Sequence, residues 1–200
     1  AMGRALGPPA ALAREQRNPA TADSEVVPPE RHVYDLIIPA FNAPEILARC
    51  LDSLIANTDP RHPIHVIDDA STDPRVDTMM KGYVARHAHV RYYRLPVNLG
   101  FPGAVNAGLA STTHDVVLVN ADTEYPPHWL ARHDRFRRSD PAIHAISPLS
   151  NNATICSVPG FNAKNALPAN LTLAEMDRLV QRTSLRRYPR VPTVVGFCML

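Results

Sequence analysis

Lysine is almost missing from this sequence of 200 residues: only Lys81 and Lys164 occur, and arginine carries the rest of the basic charge. Together with abundant alanine and proline, that is a genomic composition bias with no function of its own. Neither sign of charge dominates, with 21 basic against 19 acidic side chains, so nothing in the overall balance asks for nucleic acid or a strongly acidic partner. Cysteine is scarce. Cys50, Cys156 and Cys198 are odd in number and lack C-x-x-C spacing, which suggests neither a disulfide framework nor a zinc site and favours a reducing compartment. No apolar run approaches the ~20 residues of a membrane span. The N-terminus also has no apolar stretch of the signal-peptide kind, so a cytoplasmic protein is expected.

Several chemistries lose their usual motifs as well. The nine histidines form no H-E-x-x-H and no close His/Cys cluster, so they read as surface or structural residues. A G-x-S-x-G elbow and a Walker loop are absent. Gly100, Gly103 and Gly108 have the wrong spacing for G-x-G-x-x-G and suggest instead a close approach of backbone to a ligand or to a sheet.

What is present is a core: 45% of the residues are apolar, enough for one compact domain or slightly more. Residues 1–31 carry Pro8, Pro9, Pro19, Pro28 and Pro29 without apolar periodicity and are expected to be a disordered or linker segment, with the domain over 32–200. The run VYDLIIP from Val33 is nearly continuous and apolar, as in a strand buried on both faces. Pro44–Asn57 then places Ile46, Leu47, Cys50, Leu51, Leu54 and Ile55 on one helical stripe, with Asn42 and Glu45 as a capping pair. Ile64–Asp68 is a second strand, and Val76, Met79, Met80, Tyr83 and Val84 repeat with helical spacing behind Pro74.

The alternation continues. Val90–Leu95 is a third strand, Phe101, Ala104, Val105, Gly108 and Leu109 mark a third helix face, and Val116–Asn120 a fourth strand. Trp129, Leu130, His133 and Phe136 line a fourth helix, Ile143–Ser147 reads as a further strand, and 149–171 has loop composition. Thr172 to Glu175 opens a capped helix, and the closing TVVGFCML reads as a strand. Strands and helices in this alternation specify an α/β fold with a doubly wound, mostly parallel sheet and helices on both faces.

Ligands of such sheets bind at the carboxyl ends of the strands, near the point where strand order reverses. The polar residues gather at those ends: Pro39-Ala-Phe-Asn42, Asp68-Asp-Ala-Ser-Thr-Asp73, Asn98-Leu-Gly100 and Asn120-Ala-Asp-Thr-Glu124. Both Asp68 and Asp69 are open to a second reading as caps of the following helix, a task for which Thr72 and Asp73 are equally well placed.

The segments IIPAFN, VIDDASTD, NLGFPGAVNAGL and VLVNADTE, in this order and spacing, resemble the donor-binding motifs of the family-2 inverting glycosyltransferases. Further on, SNNATICSVPGF and VVGFCML resemble bacterial polysaccharide-building members, including rhamnosyltransferase-like ones. The resemblance implies a GT-A fold and transfer of a sugar from a nucleoside diphosphate-sugar, with inversion, to a saccharide or lipid-linked saccharide acceptor. It further implies a donor site at Pro39, Phe41, Asn42, Asp69, Asn98, Gly100, Gly103, Asn120, Ala121 and Asp122, in which Asp69 accepts a hydrogen bond from the nucleobase. Asp122 stands in the place of the family's DxD acid, which implies a Mg²⁺ or Mn²⁺ ligand.

Two departures accompany the match: Asn120 replaces the first acid of that motif, and Val105 stands where members often carry an arginine. The family's general base lies in an acidic motif well beyond a GFCML-like strand. The acceptor half is therefore expected to be missing, and none of Asp134, Asp140 and Glu175 is named as catalytic. Two arginine groups, Arg132, Arg135, Arg137 and Arg138, then Arg182, Arg186, Arg187 and Arg190, read as solvated faces, with a peripheral contact at the inner membrane surface as the alternative. A non-catalytic nucleotide-sugar-binding domain is the main rival function. A sugar-phosphate nucleotidyltransferase would need a glycine-rich loop with Arg and Lys where this chain has PAFNAPE.

Overall fold

A computed structural model describes residues 29–191 and 193–200, so the disordered segment expected over 1–31 lies outside the described residues as far as residue 28. The elements run β1 (Tyr34–Ala40), α1 (Pro44–Asn57), β2 (Ile64–Asp68), α2 (Pro74–Arg86), β3 (Val90–Arg94), α3 (Gly100–Leu109), β4 (Asp115–Val119), α4 (Trp129–Arg137), α5 (Leu173–Thr183) and β5 (Cys198–Met199). They build one sheet of order β3-β2-β1-β4-β5 in which only β5 runs antiparallel. None of the described helices is long and apolar enough to cross a membrane.

β1 is the centre of this sheet. It pairs in parallel with β2 along one edge, Ile38 opposite Val66, and with β4 along the other, Leu36 opposite Val117. Because side chains alternate along a strand, Leu36, Ile38 and Ala40 join the larger core with Leu47, Leu51 and Leu54 of α1 and Val76 and Met80 of α2. Ile37 points the other way and meets Ile67 and Ala104 of α3. A strand with apolar residues on both faces is what two helical layers require.

Gly108 lets α3 lie close to the sheet, since a Cβ there would stand 2.6 Å from Ile37 Cγ2. The close approach expected of these glycines is thus met here, toward the sheet. α3 buries only Ala104, Val105 and Gly108, leaving Phe101 and Leu109 exposed.

Other expectations need correction. Asn42 and Glu45 do not cap α1: the N-cap is Ala43, in the left-handed region at φ 51°, and no side chain caps it. Glu45 instead pairs with Arg75 of α2. Ile143–Ser147 forms no strand, although Ile146 and Leu200 exchange backbone hydrogen bonds of 2.8 and 3.2 Å. Of TVVGFCML only Cys198–Met199 is a strand, because only that pair finds register with β4. The Thr172–Glu175 capping box forms as read.

Two buried carboxylates fasten the amino ends of the strands. Asp134 of α4 accepts from the Arg31 amide (3.0 Å), Tyr34 Oη (2.8 Å) and Arg138 Nε (2.9 Å), and its other neighbour is His32 Nδ1 at 3.0 Å. Asp35 lies 2.8 Å from His65 Nε2 and accepts from the Thr113 and His114 amides, each at 3.0 Å. Burial alone would raise both carboxyls, but these hydrogen bonds outweigh it and hold each at about 2, against an ordinary value of 3.8.

With folded values below the unfolded one, the unfolded chain takes up protons first as pH falls. Each group's contribution of ~2 kcal/mol is therefore complete above about pH 4 and lost toward pH 2. Asp134→Asn is expected to cost about 3 kcal/mol at pH 7 and to shrink the loss of stability between pH 4 and 2. Urea denaturation across that range measures both effects, and an unchanged acid limb would remove Asp134 from this role.

Candidate nucleotide-sugar site

The carboxyl ends of β1, β2 and β3 are tied to one another through side chains. Asn42 sits at φ 58°, its amide N–H donates to Ser71 Oγ (2.8 Å), and its side-chain oxygen accepts from the Thr72 and Asp73 amides at 2.8 and 2.9 Å. The loop after β1 is thereby clamped to the loop after β2. Ala43 and Ala70 also occupy the left-handed region, at φ 51° and 58°. That costs alanine ~1 kcal/mol, and such conformations persist only where surrounding bonds enforce them.

Asp68 is wholly buried and fully used. One oxygen accepts from the Ser71 amide (2.8 Å), the other from Tyr92 Oη (2.6 Å) and Arg94 Nη1 (2.7 Å). Burial would raise its pKa, yet the bonds from Ser71 and Tyr92 and the Arg94 charge hold it below the ordinary range. This is the strand-end structural carboxylate. Capping of α2 falls to Asp73, which accepts from the Arg75 amide at 2.9 Å.

Asp69 differs. It is only 4% exposed, and one oxygen accepts from the amide of Leu99, the residue that precedes α3, at 2.7 Å. Its other oxygen receives no hydrogen bond from the described residues and is not sealed off from solvent. An acceptor is thus left free at the mouth of the sheet. On the loops after β1 and β3 and at the start of α3, Phe41, Val97, Leu99 and Phe101 expose about half of their surfaces, and Pro39 is half-buried at the end of β1. Asn98 turns its side-chain oxygen to the Gly100 amide (3.1 Å), and Gly100 takes φ 71° to open α3. Gly103 is needed locally, since a Cβ there would collide with that of Leu99 at 2.3 Å.

At the end of β4 the chain makes a tight turn. The Asn120 amide donates to the Phe197 carbonyl (2.9 Å), and the Asn120 carbonyl accepts from Thr123 Oγ1 (2.7 Å) and Cys50 Sγ (3.5 Å). Ser53 of α1 supports the next residues through the Tyr125 amide at 3.1 Å. Ala121 and Asp122 occupy this turn, and Asp122 is exposed with no hydrogen bond or ion pair among the described residues. Glu124 lies 3.7 Å from Arg49.

A hard divalent cation fits such a donor set in part: one free carboxylate is available, and oxygen from phosphate and water must supply the rest. The described residues contain no group of three His, Cys, Asp or Glu side chains that could hold an ion unaided.

The remaining acids are engaged. Asp134 belongs to the buried network above, Glu175 closes its capping box, and Asp140 lies 3.3 Å from Arg190. Arg132, Arg137 and Arg138 are likewise paired, with Asp177, Asp115 and Asp134. Arg94, Tyr92 and Ser71 were not singled out as site residues from the sequence. The available signal was Tyr92 and Arg94 at i and i+2 of a strand, which places both on one face.

Comparison with known proteins places the chain in a family. Residues 35–148 match the sequence model of glycosyl transferase family 2. The undecaprenyl-phosphate 4-deoxy-4-formamido-L-arabinose transferase of Klebsiella pneumoniae is 31% identical over 162 residues, covering 78% of this chain and 45% of that protein. The poly(ribitol-phosphate) beta-glucosyltransferase of Bacillus spizizenii is 35% identical over 71 residues, 34% of this chain and 11% of that protein. The chain thus spans less than half the length of these relatives.

Among solved structures, the mannosyltransferase PcManGT of Pyrobaculum calidifontis with GDP-Man and Mn²⁺ superposes at TM-score 0.53 and 22% identity, over 61% of this chain and 39% of that one. Staphylococcus aureus TarS with UDP-GlcNAc gives 0.54 and 20%, over 64% and 37%. These likenesses show the fold, which is GT-A.

The clamp at Asn42 can be tested apart from any ligand. Asn42→Ala is expected to lower stability by about 1–3 kcal/mol by leaving the Thr72 and Asp73 amides unpaired, while Asn42→Asp, which keeps the acceptor, costs less. Equal stability of all three proteins in chemical denaturation would show that the side chain is free to serve a ligand instead.

Proposed function

The chain belongs to glycosyl transferase family 2, and on that premise we propose that it transfers a sugar from a nucleoside diphosphate-sugar to an acceptor hydroxyl with inversion at the anomeric carbon. The observation that carries this reading is the pair of carboxylates that keep acceptor capacity at the carboxyl ends of β2 and β4, one oxygen of Asp69 and both of Asp122, in a sheet whose order reverses between β1 and β4. Nucleotide ligands of doubly wound sheets bind at that reversal.

In this reading the free Asp69 oxygen accepts an N–H of the nucleobase, and Pro39, Phe41 and Asn42 line the base and ribose. Asn98, Gly100 and Gly103 shape the opposite wall, while Asn120, Ala121 and Asp122 face the diphosphate. Asp122 would hold Mg²⁺ or Mn²⁺, which when bound supplies positive charge against the negative charge that builds on the leaving diphosphate. With one protein carboxylate, the ion is held well only together with the donor's phosphates.

The acceptor we propose is a saccharide or lipid-linked saccharide of bacterial cell-surface polysaccharide synthesis. Two observations favour it: the Klebsiella relative is named for undecaprenyl phosphate, and the Bacillus relative for poly(ribitol phosphate). A lipid-linked acceptor would bring the reaction to the inner face of the membrane through peripheral contact.

A second reading, donor binding without turnover, is favoured by the engagement of Asp134, Asp140 and Glu175. Acceptor-stimulated release of nucleoside diphosphate separates the two: turnover supports transfer, and binding with no release across an acceptor panel supports the binding domain.

The two acids make distinct predictions. Asp122→Ala is expected to abolish the Mn²⁺-dependent part of nucleotide binding and leave the fold intact, as judged by titration calorimetry and circular dichroism. Asp69→Asn is expected to weaken binding by about 1–3 kcal/mol with the metal effect retained. Metal dependence that survives Asp122→Ala, or affinity untouched by Asp69→Asn, removes the residue concerned from the site.

A further inference from the structure

The loop that presents Asp69 holds its shape against its own backbone preference. Ala70 is left-handed at φ 58°, and its amide donates to the Asp68 carbonyl at 2.9 Å, so the chain reverses tightly on either side of Asp69. An alanine there would relax if it were not fastened from outside. Beside the Asn42 bonds to Ser71, Thr72 and Asp73, a second fastening comes from β3, the edge strand.

Parallel register sets Val66 opposite Tyr92 and Asp68 opposite Arg94, so the side chains of Tyr92 and Arg94 reach the end of β2 from the same face. Arg94 spans the reversal. One nitrogen donates to Asp68 Oδ2 at 2.7 Å and another to the Ser71 carbonyl at 2.6 Å, gripping the residues before and after Asp69–Ala70. Tyr92 donates to the same Asp68 oxygen, and burial together with that carboxylate pushes its phenol up to about 12. The grip is therefore fully protonated on the donor side throughout the physiological range. Ser71, held by Arg94, in turn receives the Asn42 amide, so the hold passes to the loop after β1.

We infer that Arg94 is a positioning residue: by bridging Asp68 and the Ser71 carbonyl it fixes the loop that aims the free oxygen of Asp69 into the donor site. The consequence for binding rests on the reading of Asp69 as a donor contact, while the hold on the loop does not. Arg94 is 43% exposed and lies outside the core, so its replacement leaves the packing of the sheet in place. Arginine suits this bridge because its planar fork presents separate nitrogens to a carboxylate and a carbonyl in a fixed geometry, whereas lysine offers one ammonium centre on a flexible stem.

The test compares Arg94→Met, Arg94→Lys, Asp69→Asn and the Arg94→Met/Asp69→Asn double variant. Amide hydrogen exchange of the free protein reads the loop directly. Arg94→Met is expected to raise exchange at residues 69–73 and Leu99 while the amides of β1 and α1 stay protected, with Arg94→Lys in between.

Titration with UDP, GDP, dTDP and CDP, each with Mn²⁺, reads the consequence. Arg94→Met should weaken the nucleotide that binds by about tenfold, the loss expected for one charged hydrogen bond, and should add little once Asp69 is already Asn. Unchanged exchange at 69–73 in Arg94→Met overturns the proposal. So do binding penalties that multiply in full in the double variant, because Arg94 would then act on the nucleotide independently of Asp69. Should Asp69→Asn leave every nucleotide's affinity unchanged, the base contact itself fails, and exchange still decides whether Arg94 holds the loop.

Discussion

β1 is hydrogen-bonded to a parallel neighbour along both edges and buried on both faces, and the rest of the molecule answers to that constraint. A strand so enclosed is apolar along its middle, with helices above and below and its polar residues toward its ends, where buried Asp35 is satisfied by its hydrogen bonds. Because the chain leaves β1 toward β2 and β3 and returns to the far side for β4, the helices that follow β1 and β3 pack on opposite faces of the sheet. The opening between them is a consequence of strand order, and the residues gathered there inherit it.

Hydrogen-bond supply then sorts the acids of this small domain by task. Asp35, Asp68 and Asp134 are buried and saturated with donors, and their depressed pKa values express how strongly the charged form is held. Asp73 and Glu175 are spent at helix starts. Asp69 and Asp122 keep acceptor capacity at the carboxyl ends of β2 and β4, one nearly buried and one exposed. That difference suits the two roles proposed for them, since a buried acceptor discriminates by desolvation and an exposed carboxylate can share a cation with phosphate.

The fold was legible because its signals are local. VYDLIIP, the stripe of Leu47, Leu51 and Leu54, and the Val76, Met80 and Tyr83 repeat each report burial from neighbouring residues alone, and the match of four motifs supplied the candidate site residues. What escaped is non-local. Asn42 looked like a cap for the helix beside it, but its acceptor is used by amides thirty positions away, and Glu45 finds Arg75. Asp134, four residues after Leu130 on the buried stripe of α4, gave no sign that Tyr34 and the Arg31 amide would reach it. Ile143–Ser147 and TVVGFCML have strand composition, yet strands are made by register with a partner, which composition does not encode.

The central claim is that a nucleoside diphosphate and a divalent cation are bound together, through one protein carboxylate, at the reversal point of the sheet. Thermal denaturation of the full chain with UDP, GDP, dTDP or CDP, each with and without Mn²⁺, tests it most directly, because a ligand that binds only the native state raises the midpoint. The account requires at least one nucleotide to stabilise the protein more with Mn²⁺ than the sum of the two separate effects. The same midpoint under all four nucleotides with metal, or a full shift with Mn²⁺ alone, would contradict it.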